Sequence, residues 1–307
     1  MPGNLVPLPL IYSTLVISAI GVFGNLTIVS ITIKNKTLHS RCCLLIGLLA
    51  SFDFIVCVYL VQLRIMMVFE IYLLPNSSCF YLSVHGIFAM NMQIGLGLTI
   101  GIDRLLNVSF PMKYPQIPRW FYAIMLLICV TQAGIVTGLG WLLITDDRIR
   151  GACLPVTALN GPSLTLWFVS NFTIAVSVVI VYGYAYIRCQ YLTAKNLYSK
   201  TMDAVNRLLK SLTIILSLYF CTWFSAITAM FIAYILNLDY ETTTKVTQGA
   251  GLFIVCNSSF HVFVYFWRTA EYRKAICRLY GIVPSETETN SKAFSLQSNP
   301  RKSLVVV

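Results

Sequence analysis

Charge is what this chain has least of. Asp, Glu, Lys and Arg make up 11% of its 307 residues, while 57% are hydrophobic. A soluble domain carries about 25% charged residues. So few charges cannot cover a water-facing surface, and the mean hydropathy of +0.76 fits lipid as the solvent. Proline is missing where it would bend a helix: all eleven lie outside the long apolar runs, so no run loses a backbone donor to a proline ring. No basic residue precedes the first run and no small-residue cleavage site follows it closely. That run therefore reads as a retained helix that also targets the chain, not as a cleaved signal. The net charge of +11 would suit nucleic acid if it were gathered on one folded face. It lies between apolar runs, which sets nucleic acid aside as a partner in favour of membrane topology.

Seven apolar runs cover roughly 11–33, 43–69, 79–103, 120–144, 164–187, 210–236 and 246–267. Each exceeds the ~20 residues that cross ~30 Å of hydrocarbon as a helix. Backbone groups in lipid must pair within the segment, so these runs predict helices. The expected architecture is an all-α membrane protein with a seven-helix bundle over 11–283, its last part a short amphipathic helix. A short outer segment, 1–10, precedes it, and a Ser/Thr-rich disordered tail, 284–307, follows. Eighteen of the 22 Lys and Arg residues fall on one side of this arrangement. That side is cytoplasmic by the positive-inside rule, facing anionic inner-leaflet lipid, so the N-terminus is outside and the C-terminus inside. The outer connections are short. An external ligand must be met by the helices themselves.

Only two of the ten cysteines, Cys79 and Cys153, fall outside the membrane on this topology. An oxidising exterior favours a bridge between them. Cys277, in the basic amphipathic stretch after the seventh run, is a candidate for palmitoylation. Asn76-Ser77-Ser78 is an outward-facing glycosylation sequon close to the bilayer.

Several motifs now align. Asp103-Arg104-Leu105 with Pro111 and Tyr114 resembles the DRY…P..Y signature of rhodopsin-like G-protein-coupled receptors. Gly24-Asn25 resembles that family's first-helix motif, and Leu49-Ala50-Ser51-Phe52-Asp53 its second-helix motif. Cys79 and Cys153 match its loop-to-helix disulfide, and Tyr265 takes the tyrosine place of NPxxY, with Tyr272 seven residues on. The blend is most similar to nematode serpentine chemoreceptors of class SX. The resemblance implies a plasma-membrane receptor, possessing no cofactor, that couples to a heterotrimeric G protein through Asp103, Arg104, Pro111, Tyr114 and Tyr265. It further implies that Arg104 pairs with Asp103 at rest. The sensory-neuron membrane and an external small molecule follow from the chemoreceptor likeness; a peptide ligand is the variant within the same fold. Three departures stand out: Leu105 replaces the usual tyrosine, His261-Val262 replaces Asn-Pro, and Cys221-Thr222-Trp223-Phe224 replaces CWxP. Any helix bend must come from elsewhere, such as Gly249 and Gly251.

Polar groups inside a membrane are costly and mark candidate sites. Asn25, Asp53, Gln93, Asn257 and His261 share one depth. They read either as a switching cluster, with sodium beside Asp53, or as a static network that satisfies the acid. Asp103 and Arg104 read either as a switch or as markers of the membrane edge. Arg64 lies eleven residues after Asp53, on the same helix face and ~16 Å nearer the outside. It reads either as an anchor for an anionic or carbonyl-bearing ligand or as a snorkelling side chain. His85, Met90, Asn91, Trp223, Phe224, Gln248 and Phe253 are candidates to complete a pocket with it.

Two further absences exclude ligands. Amine receptors of the family carry an aspartate seven residues after the helix-3 cysteine; here that residue is Gly86. The seventh run holds Val255 at the retinal-lysine position, so no Schiff base can form. A transporter or channel is the rival class, but the chain shows no internal repeat. No catalytic constellation appears at helical spacing, so an enzyme is not expected.

Overall fold

The prolines that avoid the apolar runs stand at the helix starts. Pro7, Pro75 and Pro118 immediately precede three of the long helices, and Pro162 opens a fourth. At those positions the missing N–H is one the first helical turn leaves unpaired anyway. Two other helices are capped by side chains: Ser40 Oγ accepts from the Cys43 backbone N–H at 3.4 Å, and Asp239 from that of Thr242 at 3.0 Å. The result, a computed structural model describing residues 7–71, 74–145, 147, 153–194, 213–214 and 216–282, is all-helical among those residues.

The helices are α1 (Leu8–Lys34), α2 (Arg41–Val68), α3 (Asn76–Ser109), α4 (Arg119–Leu142), α5 (Pro162–Ala194), α6 (Leu216–Ile235), α7 (Tyr240–Arg268) and α8 (Ala270–Leu279). A four-residue helix, Pro155–Ala158, precedes α5. The tail 284–307 and the basic connection 195–212 lie outside the described residues. Six helices are long and apolar enough to cross a membrane: α1, α2, α4, α5, α6 and α7. The 34-residue α3 falls outside this set, and its position explains why. It packs against α2, α4 and α5. Nineteen of its residues are buried, against five of the 24 in α4. A helix surrounded by protein needs no apolar coat, so α3 can carry Asn91, Gln93 and Thr99 in its middle.

Close approach at two glycines sets the spacing around α3. A Cβ on Gly86 would run into the ring of Tyr59, and one on Gly101 into the ring of Tyr182. At the N-terminal end of α3 the Cys79–Cys153 disulfide is formed, with the Cα atoms 5.5 Å apart. Beside it the Asn76 amide is buried, donating to the Thr157 and Ala158 carbonyls and accepting from the Thr145 backbone and the Asn160 side chain. The sequon asparagine is thus consumed in fastening the outer loop, and no glycan can be attached to it in the folded chain.

Gly249 and Gly251 lie within the continuous helix α7, and the irregular turn is in α6 instead. Residues Phe220–Phe224 of α6 form a π turn, one residue wider than the α-helix around it. The turn buries Thr222 and Trp223 while Phe220 stays exposed and stacks on Phe224 at 5.0 Å. After α7 the chain turns into α8. There the buried Tyr272 hydroxyl donates to the Cys43 carbonyl and meets Thr32 Oγ1, each at 3.1 Å, which docks α8 on α1 and α2.

Candidate functional site

Asp53 on α2 is fully buried and is held by side chains from two other helices. Its Oδ1 accepts from Gln93 Nε2 on α3 at 2.5 Å, and its Oδ2 from His261 Nδ1 on α7 at 2.7 Å. Gln93 Nε2 also donates to Ser258 Oγ at 2.8 Å, and Asn25 Nδ2 on α1 donates to the Ser258 carbonyl at 2.9 Å. Asn257 does not reach Asp53. Its Oδ1 accepts from Thr222 Oγ1 at 3.1 Å, which connects α7 to the π turn of α6. The five expected residues therefore do gather at one depth, in two linked groups. Each carboxylate oxygen of Asp53 accepts one of the protein's own donors, while Asn25 Oδ1 and Gln93 Oε1 are buried without a hydrogen-bond partner among the described residues.

At the other end of α3 the expected Asp103–Arg104 pair is not made. Among the described residues the ion pairs are His261–Asp53 and the exposed Lys245–Glu241. Successive helical residues point ~100° apart, so neighbours along the chain do not face each other. Asp103 turns to hydroxyls instead: its Oδ1 accepts from Tyr114 at 2.8 Å and from Tyr122 on α4 at 2.7 Å. Arg41 completes the corner, donating to the Tyr114 and Pro115 carbonyls and lying over the Tyr122 ring at 5.8 Å. Burial, and then the charge of Asp103, pushes the Tyr114 phenol above the ordinary tyrosine range. Pro111 lies in the turn between these groups.

Arg104 faces the other way. With Tyr182, Tyr219 and Tyr265 it lines the inner part of an internal cavity of about 50 Å³, whose deeper wall includes Gln93, Trp223, Asn257 and His261. The cavity thus joins the Asp53 cluster to Arg104. Its lining is mostly apolar with these polar groups set into it, and it has room for a few water-sized molecules.

The residues expected to form the ligand pocket have differing surroundings. Phe253 is 47% exposed, because it sits two residues and ~200° beyond Gly251, which faces the bundle. Asn91 is fully buried but occupied: its Oδ1 accepts from Gln132 on α4 and Asn171 on α5, so it clamps three helices. Met90 packs in the core and His85 is exposed, edge-on to Tyr59. Trp223 lines the internal cavity, Phe224 is half-buried, and Gln248 and Arg64 are buried. A separate outer cavity of about 340 Å³ opens among α5, α6, α7 and the four-residue helix, lined by Phe168, Met230, Tyr234, Thr243 and Thr247 among others. Three residues with evident work were missed. Ser258 lies one turn before His261 on the same face, which i,i+3 counting would have found. Thr222 and Tyr122 gave no signal that separates them from any membrane threonine or interfacial tyrosine.

A helical membrane bundle with a disulfide at one end of α3, a buried acid on α2 and Asp103-Arg104 at the other end of α3 fits a G-protein-coupled receptor. The chain belongs to the serpentine type 7TM GPCR chemoreceptor Srsx family, whose profile matches residues 18–280. It is also similar to G-protein coupled receptor 12 of Homo sapiens, 24% identical over 282 residues, covering 88% of this chain and 80% of that one. The Mus musculus protein of the same name is 23% identical over the same shares.

Proposed function

We propose that this receptor is chemosensory: an external small molecule enters between the helices and the inner face activates a heterotrimeric G protein. On this reading α3 is the seventh crossing, α8 lies along the inner membrane surface as a basic amphipathic eighth helix, the N-terminus is outside, and the protein works at a sensory-neuron plasma membrane. Cys277 on α8, partly exposed, is the acylation site that would fix that helix to the bilayer. The ligand enters at the extracellular end of the bundle, and the tail carries the regulatory phosphorylation sites.

One observation carries the reading. His261, the partner of Asp53, and Arg104 line one internal cavity, which supports a path by which a change in helix packing at the buried pair reaches Arg104. Among the described residues no acid lies within ion-pair distance of Arg104, so on this reading it changes company when α6 moves. Cells expressing the chain, given a panel of volatile and ascaroside-like compounds with peptides beside them, should show G-protein activation that Arg104→Ala removes. Surface-expressed protein that responds to nothing, yet passes ions or solutes, would overturn it. A response confined to peptides would replace chemosensation with neuropeptide reception.

A further inference from the structure

Arg64 is the feature of the outer half that the receptor reading leaves without work. Its side chain is 2% exposed, four residues before α2 ends at Val68. A guanidinium offers five donors in a fixed fork and stays charged. Here Nη1 reaches the Met67 thioether at 3.1 Å, and Nε has no partner. Neither ion pair among the described residues involves it. A thioether is a weak acceptor and brings no charge, so the burial of this cation is uncompensated.

Tyr59, on the same helix, is the titratable neighbour of the guanidinium; its hydroxyl donates to Ser83 Oγ at 3.1 Å. Against the fork, α7 presents Gly251, where a Cβ would stand 3.5 Å from Arg64 Nη2 in ordinary contact. The α7 side of the fork is therefore bare backbone. Met67, unbranched and adaptable, covers the other side and can swing away without breaking a strong bond.

We propose that Arg64 anchors the carboxylate of a small organic acid, so that the receptor's ligand is an anion whose charge completes a pairing the fold leaves open. This rests on the receptor reading for the ligand's approach from outside, and the site itself is tested without signalling. A bidentate pair between the fork and a carboxylate is the strongest arrangement these donors can make.

The full chain, purified into nanodiscs of neutral phosphatidylcholine so that no lipid supplies the anion, is melted with sodium octanoate or with octanamide. Octanoate should raise the melting temperature and octanamide should not. Arg64→Gln should lose the octanoate shift, and Arg64→Lys should keep part of it. A second set of variants supplies the acid from within. Gly251→Asp should raise the melting temperature of the wild-type chain and cancel the octanoate shift. The same substitution should lower it in the Arg64→Gln background, with Gly251→Ala as the control for added bulk. The proposal is overturned if the wild type shows no octanoate shift, if Arg64→Gln keeps it, or if Gly251→Asp destabilises both backgrounds alike. No G protein enters these measurements, so their failure leaves Arg104-dependent signalling standing, and the reverse also holds.

Discussion

His261 Nδ1 and Asp53 Oδ2 stand 2.7 Å apart in the interior, joining α7 to α2 through an acid that has no exposure at all. Removing one partner of a buried pair leaves the other unpaired, at a cost of about 3–5 kcal/mol. His261→Ala should therefore lower the melting temperature of the purified receptor sharply. His261→Asn, which keeps a donor, should recover much of the loss. Replacing sodium by choline should leave the wild type unchanged. A sodium-dependent melting temperature would show that Asp53 still binds the ion.

Tyr114 and Tyr122 share Asp103 Oδ1, and each hydroxyl bond to a charged acceptor is worth about 1.5–3 kcal/mol. Tyr114→Phe and Tyr122→Phe should each loosen the corner between α3 and α4 and raise ligand-independent nucleotide exchange on the G protein. The double variant should exceed either. Unchanged basal exchange in all three would assign the corner a purely structural role.

The same contact predicts a pH profile. The folded phenol of Tyr114 titrates above the ordinary tyrosine value near 10, with burial the main cause and Asp103 the second. The neutral phenol is the form the fold prefers. Its contribution is fully present below pH ~10 and is lost only as pH rises beyond that value. Between pH 6 and 9 the effect of Tyr114→Phe on stability should be constant. A difference that varies within that window would mean another group titrates through this contact.

Cutting the outer staple is the third test. Loss of a native disulfide costs about 2–5 kcal/mol. Cys153→Ser should reduce surface expression, and Cys79→Ser should do so to the same degree because they remove one bond. Unequal effects would point to a second partner for one of the cysteines.

The fourth prediction concerns the π turn. Deleting the exposed Cys221 removes the extra residue without removing a buried side chain. α6 should remain helical and its two flanking segments keep their phase, while the turn itself narrows to an α turn and its own residues shift round the axis. Trp223 and Thr222 then lose their places at the cavity and at Asn257. Signalling should be lost while surface expression survives. Full signalling would show the turn to be incidental.

The sequence was most readable where lipid imposes its own rule. A hydrocarbon slab demands long apolar helices, so six of the seven runs appear as helices apolar enough to cross it, and α3 appears as the more polar one at the centre. Asp53, Gln93 and His261 were legible because polar side chains at one depth have few partners but each other. Thr222 was not, since a membrane threonine usually satisfies itself on its own helix, as this one also does through the Leu218 carbonyl. The pocket was illegible for a geometric reason. Helical phase read across Phe220–Phe224 is offset by the extra residue, and nothing in the residue types announces it. Phe253 failed differently, as an aromatic turned outward on α7.

The widened turn in α6 has one more consequence. In a crystal, an extra half-plane of atoms is a dislocation, and it lets one layer slip past another by exchanging bonds singly instead of all together. Phe220–Phe224 is such a defect in one dimension. A proline hinge is nailed to its residue, whereas a surplus residue can be passed along the coil, each step trading one backbone bond for its neighbour. The receptor thereby holds in α6 a joint whose position is itself adjustable.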